Sequence, residues 1–319
     1  MKNGTRLGEQ LRRVKARLQA GISGPAPTLE KAPLRAELFS AEQMELHGKA
    51  LAASHRLAPS GRPDELLPRL AANESVLVEV CALLTSAAAE KSRIAPAGDW
   101  LLDNFYLIEE QIRTAKRDLP KGYSRELPRL AEGPSAGRPR VYDIALESIS
   151  HGDGRVDTET LGRFVAAYQR VTALKLGELW AIPIMLRLAV IENLRRVSVR
   201  ISAGWVERSR AASWADKMME AVQNDPKSLI LVVADMARSN PPLTGPFVAE
   251  LVRRLQGRGP ALALPLSWIE ERLSEAGLAT IQLVQSESQQ QAADQVSVSN
   301  ASAACGCWER WIGANLSRR

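Results

Sequence analysis

Three carboxylates in the stretch WLLDNFYLIEEQIR are the residues whose spacing in this chain could support acid–base chemistry. Asp103 and Glu110 are seven residues apart, so a continuous helix would place them on one face, with Glu109 beside them. A glycoside-cleaving site needs two carboxyl groups that face each other across the sugar. Arg113 follows Glu110 by three residues, however, and opposite charges at this spacing commonly pair on helix surfaces. We therefore expect these acids to form structural ion pairs.

A second set of charges lies in the apolar stretch GELWAIPIMLRLAVIENLRR. Glu178 and Glu192 alternate there with Arg187, Arg195 and Arg196. Since a buried charge must be paired, we expect these acids and bases to neutralise one another inside the protein.

Metal ligands are sparse in the sequence. His47 and His55 are eight residues apart, whereas a helical metal-binding pair is separated by four. The stretch HGDGRVD after Ser150 superficially resembles a calcium loop but lacks its ligand order, so we predict a turn with Asp157 capping the next helix. Cys305-Gly-Cys307 has no partner ligands nearby. We predict no metal site, no cofactor site and no catalytic residue in this chain.

Tryptophan is frequent, with seven residues spread through predicted helices. Trp100 and Trp180 could stack on a sugar ring, but nothing in the sequence favours that role over packing in the core.

Positive charge is concentrated at the ends of the chain. The net charge is +6, and residues 1–20 contain six basic residues against the single acid Glu9. Nucleic-acid binding needs clustered phosphate contacts on a folded surface, so we predict no nucleic-acid partner. The sequence also lacks a signal-peptide core and an uninterrupted apolar run of roughly 18 residues, so we predict no membrane span.

Apolar residues recur at helical spacing, and no strand pattern is evident. We predict an all-α fold, either an irregular multi-helix bundle or stacked helical hairpins, without a substantial sheet. Ser40 and Gln43 form a capping-box pattern that starts a helix over about residues 41–57. Separate helices are expected over 100–118, 176–203 and 209–222, with Pro183 kinking or dividing the second of these.

Six motifs follow one another in a recognisable order. They are PLRAELFS, GDWLLDNFYLIEEQI, DLPKGYSRELPRLAEGP, RPRVYDIALESISHGDGRVD, RFVAAYQRVTALKLGELWAIPIMLRLAVIENLRR and DQVSVSN. Together they resemble the N-terminal region of bacterial cyclic β-1,2-glucan synthases, which are large membrane glycosyltransferases. The resemblance spans Pro33 to Asn300.

The resemblance implies that this helical region precedes transmembrane helices, a glucosyltransferase domain that uses UDP-glucose, and a phosphorylase-like domain. The aspartates that bind nucleotide sugar and a divalent metal in the family would lie beyond this chain. The resemblance therefore transfers no catalytic residue and implies UDP-glucose and metal only for the missing catalytic domain. The full-length family belongs to the bacterial inner membrane, whereas a fragment without spans is expected in the cytoplasm.

The tail departs from the family pattern. After Asn300 the family continues approximately SISSLRLLGAMDWREFVE, whereas this chain reads ASAACGCWERWIGANLSRR. One nucleotide string read in two frames can encode both versions. We therefore expect that a single-base shift after Asn300 ended the reading frame early.

Three segments follow from these observations. We predict a basic helix and flexible linker over 1–32, the helical module over 33–300, and an unstructured out-of-frame tail over 301–319. We expect a non-catalytic module that originally packed against the membrane and glucosyltransferase parts of a synthase. Its partners would be those remaining domains or a second copy of itself. A free-standing helical adaptor and a carbohydrate-active enzyme using Asp103 and Glu110 stay open as alternatives.

Overall fold

The computed structural model describes residues 32–58, 65–119 and 122–316; for residue 302 and residues 305–316 only the backbone is described. The basic helix predicted within residues 1–20 and the side chains of Cys305 and Cys307 therefore lie outside the described part.

The described residues form eleven α-helices and no strand, which confirms the predicted all-α class. Their bounds are α1 Ala41–Ser54, α2 Leu66–Ala89, α3 Pro96–Asp103, α4 Phe105–Asp118, α5 Arg140–His151, α6 Thr158–Gln169, α7 Leu176–Asn224, α8 Leu229–Ser239, α9 Gly245–Leu255, α10 Ala263–Glu275 and α11 Thr280–Leu316. Short 3-10 turns at Tyr123–Arg125, Pro226–Ser228 and Pro260–Leu262 connect some of them.

The chain divides into two compact units. The first unit contains the described residues up to Thr85, residues Asp99–Val199 and the described residues from Gln295 onward. The second unit contains Ser86–Gly98 and Arg200–Asp294. Both units contain residues of the segment 33–300, which the sequence predicted as one module.

In the first unit, α1 packs against α6 through a close approach at Gly48. A side-chain Cβ at this position would lie 2.8 Å from the backbone oxygen of Phe164, so glycine lets the two helices come together. The predicted capping box starts α1 as expected: Ser40 Oγ accepts from the Gln43 amide, and the Gln43 side chain accepts from the Ser40 amide. Asp157 likewise caps α6 by accepting from the Thr160 amide at 2.8 Å.

In the second unit, apolar side chains of α7 to α10 form a common core. Phe247, Met218 and Ile269 are fully buried at its centre. Trp205 is 1% exposed, and its indole nitrogen donates to Ser92 Oγ at 3.3 Å. A buried tryptophan with a satisfied N–H group fits the packing role that the sequence suggested for most tryptophans.

Helix α7 is longer than the sequence indicated. It runs for 49 residues, so Pro183 does not divide it, and the predicted break after Ala203 is wrong. Ile201 and Trp205 are buried on either side of Gly204, and this packing outweighs the low helix propensity of glycine.

The last helix also extends further than expected. Helix α11 continues through residues 301–316, where the sequence analysis expected no structure. Ala301 and Ala304 are buried, and alanine is the strongest helix former, so this stretch continues the helix that precedes it.

One helix in the described part of the chain, α2, is long and apolar enough by length and composition to cross a membrane. Glu74 and Glu79 lie within this helix. Leu77 and Leu84 are fully buried in the first unit, and buried core helices meet the same criterion. The helix is therefore weak support for a membrane span.

Candidate functional site

The two acids that could have formed a catalytic pair lie on different helices. Helix α3 ends at Asp103, and Glu110 belongs to α4, which begins at Phe105. Asn104 separates the helices, and its side-chain amide donates to the Trp100 carbonyl at 2.8 Å. An asparagine that bonds its own backbone competes with helical hydrogen bonding, which explains why the predicted continuous helix over 100–118 is wrong.

The structure does not place these acids in ion pairs either. Asp103, Glu109, Glu110 and Arg113 are all exposed, and within the described residues no side-chain hydrogen bond or ion pair engages them. Trp100 is half-buried. The expected face of paired charges is therefore absent from this helix surface.

Glu178 is fully buried and neutralised by an arginine that the sequence analysis did not connect with it. Arg140 donates through Nε to Oε1 at 2.6 Å and through Nη2 to Oε2 at 2.7 Å. The Lys175 amide donates to Oε2 at 2.8 Å. The hydrogen bond from Arg140 to Glu178 raises the pKa of the guanidinium, so Arg140 stays charged, and the contact ties the start of α7 to α5.

Glu192 accepts hydrogen bonds from four side chains in the first unit. It is 0% exposed and accepts from Arg69 at 3.1 and 2.8 Å, from Asn73 at 2.9 Å, and from Arg195 and Arg196 at 2.8 Å each. Burial alone raises the pKa of Glu192, but the three arginine charges outweigh burial and hold the pKa well below its ordinary value. The predicted pairing of Glu192 with Arg195 and Arg196 is confirmed.

The remaining residues singled out by the sequence analysis separate into buried and exposed positions. Arg187 is buried and donates to Gln111 at 3.0 Å and to Asp118 at 3.3 Å, so it pairs with α4 and not with Glu178. Trp180, which we expected to pack in the core, is 67% exposed. Leu176, one helical turn earlier, is 62% exposed, so an apolar strip begins α7.

Two histidines and a glutamate come together in the first unit, although the sequence predicted no metal site there. His47 on α1 and His151 at the end of α5 both face Glu147: His47 Nε2 lies 2.8 Å and His151 Nε2 lies 3.4 Å from Glu147 Oε2. The three donor atoms lie within 4.8 Å of one another. We call these three residues the His–Glu cluster. The sequence contained one signal of it, the spacing of four between Glu147 and His151, which places both on one helix face.

A cavity of about 500 Å³ adjoins the cluster and lies within the first unit. His151 and Phe39 line it, together with Asp153 and Asp157 of the turn after α5. Asp153 has a positive φ of 47° and accepts through Oδ1 from Ser297 Oγ at 2.6 Å, so this turn is held against α11. Neither Asp103 nor Glu110 lines this cavity.

The chain is similar to a known protein over about three quarters of its length. Over 248 residues the chain is 32% identical to the cyclic β-(1,2)-glucan synthase NdvB of Rhizobium meliloti (strain 1021), and the match covers 76% of this chain. The chain corresponds to the N-terminal region of the cyclic β-(1,2)-glucan synthase family. No protein-family model matches the chain.

The relationship to the cyclic β-(1,2)-glucan synthases covers only part of the relative. The match accounts for 8% of the length of NdvB. The described residues of the chain form two all-α units. Its buried acids bind arginines, and its two candidate catalytic acids stand on separate helices.

Proposed function

We propose that this chain is a non-catalytic helical scaffold of a cyclic β-(1,2)-glucan synthase-like protein. Its role is to pack against the membrane and glucosyltransferase parts of such an enzyme. The observation that carries the proposal is the placement of Asp103 and Glu110 on separate helices and outside the cavity of the first unit, combined with the similarity to NdvB. Paired-carboxylate chemistry needs both groups at one substrate.

The charges of the first unit support a scaffold role. Glu178 and Glu192 are fully buried, and arginines from other helices satisfy both. The charges of Arg69, Arg195 and Arg196 hold the pKa of Glu192 below its ordinary value against the effect of burial, so this carboxylate carries no proton at neutral pH and is a poor general acid. These acids connect helices.

The exposed apolar strip of α7 supports packing against a further protein part. Leu176 and Trp180 lie one turn apart and expose 62% and 67% of their surfaces. Exposing the large apolar ring of tryptophan to water is unfavourable in free energy, and tryptophan is enriched at protein interfaces. We assign this strip to the contact with the remaining domains of the synthase.

The absence of catalysis is tested with the purified chain, UDP-glucose and Mg²⁺ or Mn²⁺, with a full-length cyclic β-(1,2)-glucan synthase as positive control. We expect no glucan and no release of UDP above the rate without protein. Turnover that is lost in Asp103→Asn or Glu110→Gln would establish the enzyme alternative and overturn the scaffold proposal.

The packing role is tested with NdvB that lacks the segment matching this chain, co-expressed with the chain in bacteria. We expect the two to co-purify, and the double substitution Leu176→Ala/Trp180→Ala to reduce recovery of the complex. Tyr106→Ala is the matched control, because Tyr106 is 60% exposed on a different helix. Failure of the unaltered chain to co-purify, or equal recovery with the double variant, contradicts the assigned contact.

A further inference from the structure

The His–Glu cluster has the chemistry of a transition-metal site. Two imidazole nitrogens and one carboxylate oxygen, His47 Nε2, His151 Nε2 and Glu147 Oε2, lie within 4.8 Å of one another. Two histidines with one carboxylate are a frequent protein ligand set for Zn²⁺. From this geometry we infer that His47, Glu147 and His151 bind a divalent transition metal, with Zn²⁺ as the best match.

Two of the three distances between ligand atoms are close to those around this ion, and the third, between the two imidazole groups, is within 4.8 Å. In tetrahedral zinc sites the ligand atoms lie roughly 2.0–2.1 Å from the metal and therefore about 3.3 Å from one another. His151 Nε2 is 3.4 Å from Glu147 Oε2, which matches this spacing. His47 Nε2 is 2.8 Å from the same oxygen, so one side chain moves outward by about half an ångström when the ion enters.

The orientation of His151 is the strongest support. Its Nδ1 lies 2.7 Å from the backbone oxygen of Glu37. A carbonyl oxygen only accepts hydrogen bonds, so Nδ1 must carry a proton. In the neutral ring Nε2 then presents a lone pair toward the Glu147 carboxylate. A cation between the two groups accepts an electron pair from both the imidazole nitrogen and the carboxylate. A metal-bound histidine usually donates a hydrogen bond from its other ring nitrogen, often to a backbone carbonyl, as His151 does to Glu37.

Aromatic rings hold both imidazoles in place. The Phe39 ring stacks on His151 with centroids 3.8 Å apart and an interplanar angle of 12°. The Phe164 ring lies parallel to His47 at 6.0 Å. Rigid ligands lose little freedom on binding an ion, so this packing favours a preformed site.

The site is accessible from one side. The side chains of His47, Glu147 and His151 are 24%, 31% and 10% exposed. His151 also lines the cavity of about 500 Å³, where a water molecule or another small ligand can complete the coordination. The cluster joins α1 to α5 across 100 residues of sequence, so an ion there would link two distant segments of the first unit. This metal is separate from the one that the family resemblance implies for a catalytic domain outside this chain.

The test is zinc binding by the full chain. Thiolates also bind zinc, so the measurements use the Cys305→Ser/Cys307→Ser background, treated with a chelator and then dialysed. Competition against a chromogenic zinc chelator is expected to give one ion per chain. His151→Gln and Glu147→Gln are each expected to weaken binding by at least about tenfold. His55→Gln is the matched control, because His55 contacts Tyr168 and Asp143 and not the cluster.

Nuclear magnetic resonance of histidine side chains tests the proposal even if a ligand variant does not fold, because it uses the Cys305→Ser/Cys307→Ser background with the three histidines and Glu147 unchanged. The chain has three histidines. One equivalent of Zn²⁺ is expected to shift the ring signals of His47 and His151 and to leave those of His55 in place. Unmoved signals of His47 and His151, or unchanged zinc affinity in both ligand variants, would show that the cluster is an ordinary ion pair and overturn the proposal.

Discussion

Arg69 reaches Glu192 across 123 residues of sequence, with Nε at 3.1 Å from Oε2 and Nη2 at 2.8 Å from Oε1. This two-pronged contact joins α2 to the middle of α7. Glu192 has no exposed surface, whereas the Arg69 side chain is 20% exposed. The carboxylate therefore depends entirely on protein groups for the interactions that water would otherwise provide.

Substitution of Glu192 by glutamine is expected to be strongly destabilising. The change removes the negative charge and leaves Arg69, Arg195 and Arg196 without their common counter-ion. Breaking a buried ion pair in this way costs about 3–5 kcal/mol of the free energy of unfolding. Urea denaturation followed by circular dichroism measures the loss. Glu270→Gln, at an exposed position of α10, is the control and is expected to stay within about 0.5 kcal/mol of the unaltered protein.

The same residue predicts a sensitivity to acid. Arginine charges hold the pKa of folded Glu192 below its ordinary value of 4.5, and Arg253 and Arg254 lower that of Glu250 against the effect of burial. A lowered pKa in the folded state means that the stabilisation is present above pH 4.5 and is lost as the pH falls through the folded value. Denaturation from pH 7 downward is expected to show stability decreasing below about pH 4.5, less steeply in Glu192→Gln. Equal slopes in the two proteins would contradict this assignment.

Gly48 is expected to tolerate no side chain. An alanine Cβ there would lie 2.8 Å from the Phe164 backbone oxygen and 3.0 Å from its Cδ2, so α1 and α6 must separate. Overpacking of this kind costs about 1–3 kcal/mol. Gly162→Ala in α6 is a matched control, because nothing lies within 4 Å of the added methyl group. That variant is expected to be more stable by about 0.5–1 kcal/mol. Thermal melts of the two variants should therefore shift in opposite directions.

The apolar strip of α7 predicts self-association when no larger partner is present. Trp180 is 67% exposed, and exposed apolar surface favours contact between copies. Sedimentation velocity of the purified chain is expected to show association that increases with concentration and is reduced in Trp180→Asp. Tyr106→Asp, at a residue that is 60% exposed on α4, should leave the association unchanged. A chain that stays monomeric throughout the concentration range would contradict the prediction.

Local signals in the sequence predicted local features correctly. The Ser40–Gln43 capping box and the Asp157 cap depend on residues three positions apart, and both are present as predicted. The helical class was also predictable, since it follows from apolar spacing along the whole chain.

Features that depend on distant packing were not predictable. Asn104 interrupts a helix although the apolar spacing continues past this residue. Helix α7 instead continues past its predicted end at residue 203, where Ile201 and Trp205 are buried. Glu178 pairs with Arg140, 38 residues away, and not with an arginine of its own helix. His47 meets Glu147 and His151 only because α1 folds beside α5, and no spacing rule connects residues 100 positions apart.

The contacts of the turn after α5 determine when the first unit can finish folding during synthesis. Arg35 bonds to Asp153, Asp153 accepts from Ser297, and the Asn300 amide donates to the Asp153 carbonyl at 3.0 Å. The first unit therefore includes contacts across more than two hundred and fifty residues of sequence, between Arg35 and Ser297. A ribosome must synthesise the chain through Asn300 before these partners exist, so the first unit completes its fold late, after the second unit has left the exit tunnel.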